Sequence, residues 1–111
     1  MTQIPTVTID NVPDPLPDGV VVLDVREPLE WAHGHVEGAV HIPLSSLPAR
    51  VDELPDGQVL VVCKIGGRSA RAVAWLQQRG RDAVNLAGGM LDWEAAGRAM
   101  VSDTGRPPQV V

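Results

Sequence analysis

The 111-residue chain has a single cysteine, set in unusual surroundings for a thiol. The stretch Cys63-Lys64-Ile65-Gly66-Gly67-Arg68-Ser69 follows an apolar run, Val59-Leu60-Val61-Val62. It leads into Ser69, Ala72, Val73 and Leu76 at helical spacing. A thiolate is the nucleophile, so what Cys63 can do depends on what lowers its pKa. Gly66 and Gly67 are expected to take backbone angles closed to other residues, which lets the loop curl tightly. A curled loop feeding a helix start aims several N–H groups at one spot, and that spot suits an anion or a thiolate. Lys64 and Arg68 add positive charge beside it. A lone Cys at a strand end is more often a small buried hydrophobe. That role needs neither two glycines nor two cations, so the context favours the reactive reading.

The elements that must position this loop follow from periodicity and punctuation. Thr6-Val7-Thr8-Ile9 is β-branched and flanked by prolines, which predicts a short edge strand. Residues 13–19 are turn-rich. Val20-Val21-Val22-Leu23-Asp24 and Val59-Leu60-Val61-Val62 are continuous apolar runs, the pattern of strands buried on both faces. Pro28 fits the first position of a helix that runs to about His33 and is capped by Gly34. Residues 38–43 read as a short strand. Ser46 is placed to cap a helix over Leu47–Leu54. Gly80 is placed to close the helix that starts in the cysteine loop. Ala83-Val84-Asn85-Leu86 is a further strand, and Gly88-Gly89 opens a helix holding Met90 and Trp93 and closed by Gly97. Strands alternate with helices, which predicts an α/β domain with a largely parallel sheet. Ligands in such sheets bind beyond the carboxyl ends of the strands, where Asp24, Cys63 and Asn85 fall. Residues 1–100 read as one domain, and residues 101–111, which lack periodicity, as a flexible tail.

Composition narrows the classes. The net charge of −5 argues against bulk nucleic-acid or membrane-surface binding. No apolar run approaches a membrane span. The first residues lack a basic region followed by an apolar stretch, so the expectation is a cytoplasmic chain whose thiol stays reduced. With three Trp and no Phe or Tyr, the core must be aliphatic. Lys64 is the only lysine among nine cationic residues, and it adjoins the cysteine.

Four segments resemble those of the rhodanese-like domains, a sulfurtransferase fold. Leu23-Asp24-Val25-Arg26-Glu27 is similar to the family's first motif. Residues Glu30 to Ala39, with Ile42-Pro43, are similar to its second. Cys63 to Ser69 is similar to its active-site loop, and Asn85 to Met90 with Trp93 to its closing motif. The resemblance spans Val20 to about Trp93. It implies a three-layer α/β fold with a mostly parallel sheet of about five strands and helices on both faces. It also implies a mechanism: Cys63 takes a sulfane sulfur from a donor such as thiosulfate, becomes a persulfide, and passes the sulfur to a thiophilic acceptor. Lys64, Ile65, Gly66, Gly67, Arg68 and Ser69 would form the substrate loop. No metal or organic cofactor is implied.

Loop length separates two chemistries in this fold, as the resemblance implies. Six residues, Cys63 to Arg68, match the sulfurtransferases; related phosphatases and arsenate reductases have seven. A phosphatase of this type also needs a carboxylate near the leaving oxygen, and none is evident. Ile65 stands where some thiosulfate-handling members carry a second cation. That leaves open a sulfur-relay or binding module whose donor is a persulfide on a partner protein.

The remaining candidates have structural readings. Asp24 and Arg26 read as an ion pair supporting the loops rather than as substrate ligands. Arg68 either faces substrate or braces the loop. Glu27 and Glu30 either rim the entrance or form a solvated helix face, and the solvated face is the favoured reading. His35 is expected to brace the chain after the first helix. His33, His35 and His41 lack the spacing and companions of a zinc set. Trp31, Trp75 and Trp93 read as core or groove packing.

Overall fold

The structure, a computed structural model, describes residues 3–111. Five strands form one sheet: β1 (Thr6–Val7), β2 (Val20–Asp24), β3 (Val40–His41), β4 (Gln58–Val62) and β5 (Ala83–Leu86). Their order is β1-β5-β4-β2-β3, and every pairing is parallel. Register aligns Leu23 with Val61 and Val61 with Asn85, so the carboxyl ends of β2, β4 and β5 lie side by side. β1 is an edge strand, as its prolines require.

Both faces of the central strand are buried, and alternation divides them. Val59, Val61 and Cys63 point into a core shared with Leu47, Ala72, Val73 and Leu76. Leu60 and Val62 point into a second core with Ile9, Val36, Met90 and Trp93. The first core lies under α2 (Leu47–Arg50) and α3 (Gly67–Gln78), the second under α4 (Gly89–Ala95). Helices therefore cover both faces of the sheet. A short helix, α1 (Pro28–His33), follows β2 with Pro28 in its first turn.

The buried face of α3 is Ser69, Ala72, Val73 and Leu76, the set expected from spacing. Gly80 follows its end with φ +76°. Elsewhere the expected boundaries shift. The helix expected over 47–54 is one turn of α-helix followed by a 3-10 turn, Val51–Glu53, and the Ser46 side chain caps nothing. The strand expected over 38–43 shortens to two residues, the length over which it pairs with β2. Gly34 is extended at φ 176° and not a left-handed cap. Its lack of a side chain serves a close approach instead: a Cβ there would lie 2.7 Å from Met100 Cε and 2.8 Å from Gln109 N.

Those two neighbours belong to the chain's final stretch. Residues 101–111, expected to be a flexible tail, fold back along α1. His35 and Val101 exchange two backbone hydrogen bonds of 2.9 Å. The N–H groups of Asp103 and Gln109 donate to Ala32 O and His33 O at 2.8 and 2.9 Å. Helix ends leave carbonyls without intrahelical partners. An aperiodic segment can satisfy them without forming an element of its own, so periodicity gives no sign of it.

Candidate active site

Cys63 is the first residue past β4 and is 1% exposed. Its Sγ accepts a hydrogen bond from the Gly66 N–H at 3.0 Å. The Ser69 hydroxyl lies 3.3 Å from the same sulfur. Burial pushes the Cys63 thiol up. The Ser69 hydroxyl and the N–H groups of Ser69, Gly66 and Ile65 pull it down by more, and the net shift is downward. The physical cause is hydrogen bonding to the charged form, which outweighs desolvation.

The curl depends on one glycine and not on both. Gly66 sits at φ +115°, ahead of α3, where its N–H turns back toward Sγ. Gly67 lies in the first turn of α3 without a positive φ, and a Cβ there would meet nothing within 4 Å. The expectation of unusual angles at Gly67 is therefore corrected. A second requirement falls on Gly89, at φ +55°. A Cβ there would strike the carbonyl oxygens of Cys63 and Lys64. That contact lets the first N–H groups of α4 hold the loop from its far side, Met90 N to Cys63 O at 2.8 Å and Leu91 N to Lys64 O at 3.1 Å.

Arg68 braces the loop. Its Nη1 and Nη2 donate to Glu30 Oε1 and Oε2 at 2.7 and 2.9 Å, a bidentate pair joining α3 to α1. Glu30 is thus not the solvated carboxylate that the sequence reading favoured. It is the counter-ion of the loop arginine and also accepts the Glu27 N–H at 3.0 Å. The pairing spans 38 positions, beyond the reach of local pattern. Lys64 is half-buried and forms no ion pair among the described residues, so of the two cations in the Cys63–Arg68 loop it is the one without a carboxylate partner. Ile65 projects outward, 65% exposed.

Asp24, Arg26 and His35 support the loops from below. Arg26 is fully buried and forms a 2.7 Å ion pair with Asp24. Its guanidinium also donates to Gly34 O at 2.7 Å and Glu30 O at 3.4 Å, which leaves no face for substrate. His35 Nδ1–H donates to Trp31 O at 2.7 Å, and His41 Nε2–H to Arg26 O at 2.8 Å. Both imidazoles stack on Trp31, at centroid distances of 3.6 and 4.6 Å. His33 Nδ1–H donates to Leu29 O. Among the described residues no three His, Cys, Asp or Glu side chains group as metal ligands.

Asn85 belongs to the site and did not enter the sequence-based set. It is buried in β5, accepts the Ser69 hydroxyl at 2.5 Å through Oδ1, and donates to Gly66 O at 3.3 Å through Nδ2. Its signals were its place at the carboxyl edge of the sheet and a polar residue inside the apolar run Ala83–Leu86, since a buried amide must find partners.

A low-pKa cysteine in a six-residue loop, at the carboxyl edge of a parallel sheet with helices on both faces, defines a cysteine-loop α/β domain. Comparison with known proteins gives it a family. The family described as "Rhodanese-like domain" matches residues 8–96, and the chain belongs to it. A protein from Allochromatium vinosum named "Sulfurtransferase" is 37% identical over 90 residues, which cover 79% of this chain and 84% of that one. A rhodanese-related protein from Thermoplasma volcanium superimposes with a TM-score of 0.81 at 33% identity, covering 87% of this chain and 97% of that one. A rhodanese-like domain protein from Staphylococcus aureus gives a TM-score of 0.75 at 30% identity, covering 96% and 99%. Other relatives are longer: the chain spans 54% of one from Synechocystis. Among the described residues no helix is long and apolar enough to cross a membrane.

Proposed function

We propose that this domain is a sulfurtransferase that carries sulfane sulfur as a persulfide on Cys63. The observation that carries the reading is the cradle around Sγ, with the Gly66 N–H at 3.0 Å and the Ser69 hydroxyl at 3.3 Å. In the first step the Cys63 thiolate attacks the sulfane sulfur of a donor such as thiosulfate. The S–S bond of the donor breaks and its electron pair leaves with sulfite. The negative charge then rests on the outer sulfur of Cys63–S–S⁻, and loop N–H groups are the donors available to it. In the second step a thiophilic acceptor, cyanide or a thiolate, attacks that outer sulfur. The persulfide bond breaks and its electron pair returns to Sγ. Lys64 supplies charge for the anionic donor, while Arg68 holds the loop through Glu30.

A protein-borne persulfide is the second donor this site favours. Ile65 places an apolar, 65% exposed side chain in the loop itself, and Leu29 of α1 and Leu91 of α4 are also exposed. An exposed apolar side chain in the loop itself suits a partner surface better than a small dianion.

Intact mass before and after thiosulfate, then after cyanide, tests the proposal. Wild type is expected to gain one sulfur atom and lose it to cyanide, and Cys63→Ser to gain nothing. A gain retained in Cys63→Ser would overturn the assignment. No gain with thiosulfate, followed by loading from a persulfidated protein, would assign the relay reading. Hydrolysis of a phosphate ester, or reduction of arsenate with an added thiol reductant, without sulfur loading would move the chemistry to oxyanions.

A further inference from the structure

Two of the groups that address Cys63 Sγ, the Gly66 N–H at 3.0 Å and the Ser69 hydroxyl at 3.3 Å, come from different places, the loop and the helix. One side chain contacts the hydroxyl directly and the residue that carries the N–H through its carbonyl. Asn85 Oδ1 accepts the Ser69 hydroxyl at 2.5 Å, and Asn85 Nδ2 donates to the carbonyl of Gly66 at 3.3 Å. Asn85 lies on β5, a different strand from Cys63, and does not hydrogen-bond to the sulfur. We propose that Asn85 is a positioning residue for the cysteine loop, holding the Ser69 hydroxyl beside Sγ and, through the Gly66 carbonyl on the far side of its Cα, the backbone turn that aims the Gly66 N–H at Sγ.

Counting protons makes the role specific. The Ser69 hydroxyl has one hydrogen and two acceptors within reach, Asn85 Oδ1 at 2.5 Å and Cys63 Sγ at 3.3 Å. It cannot serve both at once. When Sγ carries a proton or an outer sulfur, it is a poor acceptor and the hydrogen rests on Asn85. When Sγ is a bare thiolate, the hydrogen turns to it. Asn85 Oδ1 thus holds the Ser69 oxygen beside Sγ until the thiolate forms, and then yields the hydrogen to it. On the proposed sulfur-transfer route, the bare thiolate appears when the acceptor takes the outer sulfur and the S–S electron pair returns to Sγ. This last statement rests on that route; the placement of the donors does not.

The test is the pH dependence of Cys63 alkylation by iodoacetamide, which reads the thiolate directly and needs no sulfur transfer. The variants are Asn85→Ala, Ser69→Ala and the double variant. The charged groups on the elements around the loop, Lys64, the Arg68–Glu30 and Asp24–Arg26 pairs, Glu27, Arg71 of α3 and Asp92 and Glu94 of α4, are unchanged in all three. Each single variant is expected to raise the alkylation midpoint, Asn85→Ala by about one pH unit, or tenfold in thiolate at a fixed pH below the midpoint. The effect of Asn85→Ala should shrink when Ser69 is already alanine, because part of it passes through that hydroxyl. Asn85→Asp keeps the shape and an acceptor but removes the donor to Gly66 O, and should not restore the wild-type midpoint. An unmoved midpoint in folded Asn85→Ala, or strictly additive shifts, would overturn the proposal. If the midpoints move as stated while wild type never loads sulfur, the positioning role stands and the sulfurtransferase reading falls.

Discussion

At the scale of single residues, the thiolate site turns on dihedral angles as much as on charge. Gly66 reaches φ +115° and thereby aims its N–H at Sγ. A side chain at Gly66 would find room, since the nearest atoms to a Cβ are Gly88 N at 3.4 Å and Leu86 O at 3.5 Å. The obstacle is the backbone conformation itself, which costs about 1–3 kcal/mol for a residue other than glycine. Gly66→Ala is therefore expected to lower stability by that amount, or to relax the loop and withdraw the N–H. In the second case the Cys63 alkylation midpoint rises. Gly67→Ala should do neither. Its position is helical and open, and alanine gains up to about 1 kcal/mol over glycine there. Urea unfolding with the alkylation profile separates the two. Equal losses in both variants would mean that the curl needs both glycines after all.

At the scale of elements, the loop is held by its neighbours in space rather than in sequence. Glu30 and Arg68 tie α1 to the first turn of α3. The Arg68 guanidinium holds the Glu30 carboxyl below its ordinary range against the opposing effect of burial, and the Glu27 N–H helps. A carboxyl with a depressed folded-state pKa contributes stability in full above its unfolded value, about 4.3, and loses it as pH falls through the folded value. The pair is partly exposed, so its contribution is on the order of 1 kcal/mol or less. Glu30→Gln should thus be less stable than wild type at pH 7, with the gap closing between about pH 5 and pH 3. Urea midpoints across that range measure it; a gap that stays constant with pH would assign the loss to packing instead of charge. This contact also marks the limit of what was legible beforehand. The strands, α3 with its buried face, and Cys63 in a curled loop all follow from patterns within about twelve residues. Glu30 and Asn85 draw their roles from partners 38 and 16–19 positions away. Locally, Glu30 looks like any exposed helix carboxylate, and Asn85 like an interruption in a strand.

At the scale of the whole molecule, the chain's final stretch completes a path of contacts that ends at the sheet. Val101 pairs with His35, and the Asp103 and Gln109 N–H groups fill carbonyls of Ala32 and His33. The corner so fixed, Gly34–His35, offers its Gly34 carbonyl to Arg26, which is itself buried against Asp24 at the end of β2. Among the described residues no buried side-chain nitrogen or oxygen lacks a partner, so a break in this path leaves polar groups to be solvated. Removing residues 101–111 deletes the two His35 bonds, the bonds to Ala32 O and His33 O, and the bond from Val110 N to Glu94 Oε2. Each backbone bond contributes on the order of 1 kcal/mol, partly offset by the entropy released with the segment. The net expectation is a loss of about 2 kcal/mol in urea unfolding. The donors to Cys63, the Gly66 N–H ahead of α3 and the Ser69 hydroxyl on α3, make no hydrogen bond to this segment, and neither does Asn85 behind them. The shortened chain should therefore unfold at lower urea while its folded form keeps the wild-type alkylation midpoint. A truncated domain as stable as the full chain would return residues 101–111 to the status of a loose tail. One that lost both stability and the alkylation midpoint would mean that the Asp24–Arg26 pair transmits strain across β2 into the cysteine loop.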